Sequence, residues 1–161
     1  IKKQSGQQKQ LALSSKERRD EIILDVSKQN SIQNAASQIE TLLTQRGLRL
    51  YGSGSQAGIM SSPTGVEEVI RVNTLGPKYV LDYFCHLLEP DIGRVVNITS
   101  AAGPNYLSRC SARTLKILTN QEVSWKQIEE LTKEFIQQYQ DSNDSERELL
   151  NSNLRLYQII S

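Results

Sequence analysis

Compact apolar runs and helix-period stretches alternate along the first two-thirds of the chain, and that alternation narrows the fold more than any other feature. Glu21–Val26, "EIILDV", is a β-rich run of the kind buried in a parallel sheet. After it Ile32, Ala35, Ala36, Ile39, Leu42 and Leu43 fall on one helical face. Asn30 or Ser31 suits its N-cap and Gly47 its C-terminal stop. "LRLY", Leu48–Tyr51, reads as the next strand. A second helix is predicted from about Val66 to Leu88, with Val69, Val72, Tyr79, Val80, Tyr83 and Leu87 in phase. Gly76-Pro77 predicts a kink or a break in it. Arg94–Ile98, "RVVNI", is the clearest strand, bounded by Gly93 and then by Ser-Ala-Ala-Gly-Pro. This order predicts an α/β layer fold with a parallel sheet.

The flanks are less regular. Leu11–Ser15, "LALSS", is a short strand candidate followed by the charged turn Lys16-Glu17-Arg18-Arg19. A third helix is predicted from about Ser124 to Gln140. Ser124-x-x-Gln127 makes a capping box there, and Ile128, Leu131, Phe135 and Tyr139 make an apolar stripe. Beyond the polar loop "DSNDSERE", Leu149 to Ile160 reads as a short helix. No internal repeat is present.

At 161 residues the chain is long enough for one domain with a real core, and 37% apolar with 23% charged residues fits a soluble globular class. A net charge of +1 leaves no basic footprint for nucleic acid. Two scattered cysteines, Cys85 and Cys110, make neither a disulfide framework nor a metal knuckle, and read as reduced thiols. The single histidine, His86, gives a metal site or a Ser-His-Asp triad little to draw on. No apolar run approaches the roughly 18 residues of a membrane span, and the polar "IKKQSGQQKQ" is no signal peptide. The expected compartment is cytoplasmic.

Gly52-x-Gly54-x-x-Ala57 matches the G-x-G-x-x-G/A pattern of a dinucleotide-binding turn. Such a turn needs a helix opening straight after it, so that free backbone N–H groups meet the pyrophosphate. Here Pro63 and Gly65 delay any helix until near Val66, and Glu67 and Glu68 lie at a helix start rather than a strand end. A phosphate cradle at these glycines would require a helix from about Gln56.

The residues further on carry a closer match. Asn73-Thr-Leu-Gly76 sits on a helix, and "GRVVNITSAAG", Gly93 to Gly103, follows. Together they resemble the short-chain dehydrogenase/reductase family, in which a helix carries N-x-x-G and the fifth strand ends in a catalytic serine within N-[IV]-[ST]-S. By this resemblance Leu24 to Leu43 spans the third strand and its helix, with Asp25 near the adenine. "SQAGI" falls where the family has N-N-A-G, with Ser55 and Gln56 in place of two asparagines and Ala57 and Gly58 retained. The two glycines then occupy the fourth strand, which they weaken. The helical segment after Ser100 resembles the insertion of the monomeric carbonyl reductase branch and leads to Tyr157 at the tyrosine position, with Ser161 where the family has lysine.

The resemblance implies a single partial Rossmann-like domain over residues 1–161, with a helical insertion at about 108–150. The family's first strand and G-x-x-x-G-x-G turn belong before "LALSS", where ten residues hold only Gly6, so the parallel sheet with its flanking helices is expected to be incomplete at both ends. It also implies an NADPH-dependent carbonyl reductase-like oxidoreductase. Ser100 would polarise the carbonyl, Tyr157 would act as general acid, and Asn73 would support a water in the proton relay. Ala57 and Gly58 would edge the cofactor site, and Arg18 and Arg19 would meet the 2′-phosphate of NADPH. The partner implied is a small carbonyl substrate, with no nucleic acid and no membrane span. The alternative is a catalytically inactive relative serving as a structural or interaction subunit, with a protein partner covering the incomplete sheet. Ser161 and the substituted N-N-A-G motivate it.

Overall fold

Apolar spacing and two turn devices explain the first helix. The computed structural model describes residues 20–100, 102–143 and 147. Helix α1, Gln29–Arg46, buries Ile32, Ala35 and Ala36 on the face that the spacing predicts. Gly47 ends it in the left-handed region at φ 62°. There its N–H reaches Thr44 O and the N–H of Leu48 reaches Leu43 O, the paired bonds of a Schellman stop. The N-cap is Lys28, not Asn30 or Ser31. Ser31 is instead taken by the preceding turn, its Oγ accepting from the Asp25 N–H at 2.9 Å.

Strand β1, Gly52–Ser55, pairs in parallel with β2, Arg94–Asn97, in the register Gly52↔Arg94, Ser53↔Val95, Gly54↔Val96 and Ser55↔Asn97. The architecture is thus helices on a two-stranded parallel sheet, an incomplete Rossmann-like α/β fold. "LRLY" is not itself the strand: Leu50 makes one isolated bridge to Leu88, and the regular ladder begins at Gly52. The reason lies opposite it. Between Leu88 and Arg94 the segment leading into β2 closes a tight turn, the Gly93 N–H meeting Glu89 O at 2.8 Å, so pairing is interrupted there. A Cβ on Gly93 would stand 2.6 Å from that same oxygen, which is why glycine holds the position.

"EIILDV" forms no strand. Among the described residues β1 and β2 pair only with each other, so the run has no ladder partner. Ile22 packs against the core beneath α1 while Ile23 points outward, 94% exposed. "LALSS" and Leu149–Ile160 lie outside the described residues.

The predicted second helix is one rod in four pieces: α2 Val66–Ile70, a π turn Arg71–Leu75, α3 Gly76–Phe84 and a 3₁₀ turn Cys85–Leu87. The expected interruption is therefore a local widening placed just before Gly76-Pro77. Pro77 has no N–H to give the Asn73 carbonyl its usual i→i+4 bond, and the Gly76 N–H reaches back five residues to Arg71 O. Pro77 then opens α3, where a missing N–H does no harm.

Two clusters make the core. Ile32, Ala35 and Ala36 of α1 pack with Val80, Phe84 and Leu87, the alanines letting the two helices approach closely. Burying a side chain such as Ile32 is worth about 2–3 kcal/mol. The second cluster joins Val66, Val69 and Ile70 of α2 to Phe135 of α6, Trp125–Asp141. Helix α6 has the predicted capping box in full, Ser124 Oγ accepting from the Gln127 N–H and Gln127 Oε1 from the Ser124 N–H. Before it come α4, Ala102–Leu107, and α5, Ala112–Leu118. Arg113 on α5 holds α6 through both oxygens of Glu134. No described helix is long and apolar enough to cross a membrane.

Candidate functional site at the strand ends

Parallel strands run in the same direction, so the chain leaves both at the same edge and opens a crevice there. At the carboxyl ends of β1 and β2, residues Ser55–Gly58 and Ile98–Ser100 wall a cleft of about 260 Å³, closed by Asn73 and Pro77 of the helical rod. Of the residues the sequence singles out, Asn73, Ser100, Ala57 and Gly58 are brought together in this cleft. Tyr157, Arg18 and Arg19 lie outside the described residues.

Asn73 sits within the π turn and is 3% exposed. Its amide grips the main chain of a single residue on the neighbouring loop: Oδ1 accepts from the Ile59 N–H at 2.9 Å, and Nδ2 donates to Ile59 O at 2.8 Å. The loop following Gly58 has no strand partner at that point, so Asn73 supplies the bonds a ladder would have given. Ser100 is half-buried three residues past the end of β2, next to Thr99 on the same wall.

Asp25 is not among the residues walling the cleft. Its Oδ1 accepts from the Ser27 N–H at 3.0 Å and from the Ser27 hydroxyl at 2.7 Å, and Oδ2 pairs with Lys28 at 2.9 Å. The Ser27 hydroxyl above all, and then Lys28, hold its carboxyl below the ordinary aspartate range. The turn nevertheless borders the site. Val26 O lies 2.9 Å from where a Cβ on Gly76 would stand, and Gly76 precedes the cleft residue Pro77.

Gly52 and Gly54 contribute nothing to the cleft. Both lie inside β1, and neither has a positive φ; among the described glycines only Gly47 and Gly65 do. The next helix starts at Val66, so no helix N-terminus faces these glycines. Sequence reasoning missed Pro77, Ile98 and Thr99 as wall residues and Ile59 as the partner of Asn73. The proline just after N-x-x-G and the residues inside N-I-T-S were the available signals.

A parallel α/β layer with a polar crevice at its strand ends is the general form of a nucleotide-handling α/β protein. No protein-family profile matches the chain. It is similar to retinol dehydrogenase 5 of Homo sapiens, 36% identical over 88 residues that cover 50% of this chain and 27% of that protein. Retinol dehydrogenase 5 of Mus musculus matches with the same identity and coverage. The chain thus spans 27% of the length of the curated relatives it matches. That similarity to two dehydrogenases agrees with the resemblance of Asn73–Gly76 and Asn97–Ser100 to short-chain dehydrogenase/reductase motifs.

Proposed function

We propose that the protein is a short-chain dehydrogenase/reductase-type oxidoreductase acting on a small carbonyl substrate with NADPH. The observation that carries this reading is the single cleft joining Asn73, Ser100, Ala57 and Gly58 at the strand ends. The family similarity supports a nicotinamide dinucleotide in general; NADPH and the carbonyl reductase branch are the finer part of the proposal. The packing of α6 on α2 favours that branch, because the helical segment after Ser100 covers the rod that carries Asn73.

The cleft fits one end of such a cofactor. At about 260 Å³ it is on the scale of a part of such a cofactor, and the chain from Ser55 to Gly58 edges it. Among the described residues nothing cradles the diphosphate, since Gly52 and Gly54 are spent in the ladder. When bound, NADPH supplies the hydride. The Ser100 hydroxyl donates a hydrogen bond to the substrate oxygen, where negative charge develops. Tyr157 passes its proton to that oxygen. A phenol with a pKa near about 10 does this poorly at neutral pH unless a cation lies beside it. With Ser161 at the lysine position, Arg155 is the nearest basic residue in sequence. Because the Asn73 amide is engaged with Ile59, its relay role falls to its main-chain carbonyl, which Pro77 deprives of its usual partner.

NADPH titrated into the purified chain, read by nucleotide fluorescence, is expected to give saturable binding. Ser100→Ala is expected to keep that binding and lower carbonyl reduction by about 10²–10³-fold. No binding at millimolar NADPH overturns the reading.

A specific observation favours the inactive-subunit alternative as well: Val95, Val96 and Ile98 on and after β2 are 41%, 55% and 64% exposed. Val96 and Ile98 alternate onto one face and Val95 onto the other, so a partner lying over the Val96 face would cover two of the three. A monomer by light scattering that reduces a dicarbonyl compound rejects this alternative.

A further inference from the structure

We infer that Phe135 of α6 is a positioning residue for the cleft, acting through Ile59. Three observations join them. Ile59 packs its side chain against the cluster of Val66, Val69, Ile70 and Phe135. Its main-chain N–H and C=O are both held by the buried side-chain amide of Asn73. The residue immediately before it is Gly58, which with Ala57 and Gln56 forms one wall of the cleft.

The wall segment has no regular secondary structure of its own; from Gln56 to Ile59 the chain is neither helix nor strand. Its place is therefore set at two points, the end of β1 at Ser55 and the anchor at Ile59. The anchor is itself double: Asn73 fixes the main chain of Ile59 and the α2–α6 cluster its side chain. Phe135 is 5% exposed and is the α6 member of that buried cluster. Removing its ring opens a cavity in the cluster against which Ile59 packs, and the segment relaxes towards the vacancy. Helix α6 thus reaches the cleft without lining it. Gln140 adds a second tie between the same two helices, its Nε2 donating to Glu67 Oε1 at 2.9 Å.

The experiment compares Phe135→Ala with Phe84→Ala, a like-sized deletion in the cluster beneath α1, and with Phe135→Leu as the conservative rescue. Hydrogen exchange of the Ile59 amide reads the anchor, and NADPH fluorescence titration reads the cleft. Phe135→Ala is expected to speed exchange at Ile59 beyond its effect on α1, and to weaken NADPH binding about tenfold or more. Phe84→Ala is expected to do neither, and Phe135→Leu to restore both. Equal effects of the two alanine variants, or unchanged exchange at Ile59, overturn the inference. Its binding arm rests on the cofactor reading above. If the unmodified protein binds no NADPH, that reading falls alone, and the exchange arm still decides the role of Phe135.

Discussion

Gly76 and Val26 meet at a crossing with no room for a side chain: a Cβ on Gly76 would stand 2.9 Å from Val26 O and 3.2 Å from Val26 Cβ. The contact pins the Asp25–Ser27 turn against the first residue of α3, one position before Pro77 in the cleft wall.

Replacing that glycine sets two effects against each other. Alanine in a helix is favoured over glycine by about 1 kcal/mol, whereas forcing an atom into a packed contact costs about 1–3 kcal/mol. The opposing atom is backbone and cannot swing aside, so the clash wins. Gly76→Ala is expected to lower stability by about 1–2 kcal/mol in urea denaturation. A gain in stability would place the turn further from the helix than the structure does.

The glycines of β1 offer the reverse case. A Cβ on Gly54 meets nothing within 4 Å, and its φ is not positive. Gly54→Ala is therefore expected to stabilise by about 0.4–1 kcal/mol, through the unfolded chain, and to leave nucleotide binding unchanged. A phosphate turn at these residues would instead lose its ligand with that substitution. Gly52→Ala is expected to bring no such gain, because its Cβ would press to 3.2 Å on Arg94 O across the ladder.

Asn73 is the third test. Alanine there strips Ile59 of both partners, and each buried group left unpaired costs about 1–3 kcal/mol. With Ile59 only half-buried, Asn73→Ala is expected to cost about 2–3 kcal/mol in chemical denaturation. Asn73→Asp keeps an acceptor for the Ile59 N–H but turns a second oxygen towards Ile59 O. It is expected to be no better at neutral pH. Retained stability in both variants would mean that the loop is held elsewhere.

What the sequence revealed, and what it hid, follows from the range of the interactions. The stripe of α1, the Gly47 stop and the capping box of α6 are local devices, each complete within a few residues, and they read correctly from the sequence. The break before Gly76-Pro77 was legible because proline chemistry is local; its form as a π turn was not, since that depends on which carbonyl the Gly76 N–H can reach. "EIILDV" failed as a strand because strand formation depends on a neighbour, and composition says nothing of neighbours. At the site, the N-x-x-G and N-I-T-S motifs located Asn73 and Ser100. The grip on Ile59 spans 14 residues between a helix and a loop, and no spacing rule carries that distance.

The last prediction concerns acid. The Ser27 hydroxyl, and after it Lys28, hold the carboxyl of Asp25 below the ordinary aspartate range. A group whose folded pKa is depressed contributes stability that is present above the unfolded pKa and lost as pH falls through the folded one. The side chain of Asp25 is 42% exposed, so solvent screens much of the interaction and the effect is small. Stability of the unmodified protein relative to Asp25→Asn is expected to be constant from about pH 5 upward and to shrink as pH falls below 3.8. Denaturation midpoints of the two proteins, measured at low salt across that window, check this. A difference that grows towards acid would reverse the sign, and would mean that the carboxyl is stabilised in its protonated form instead.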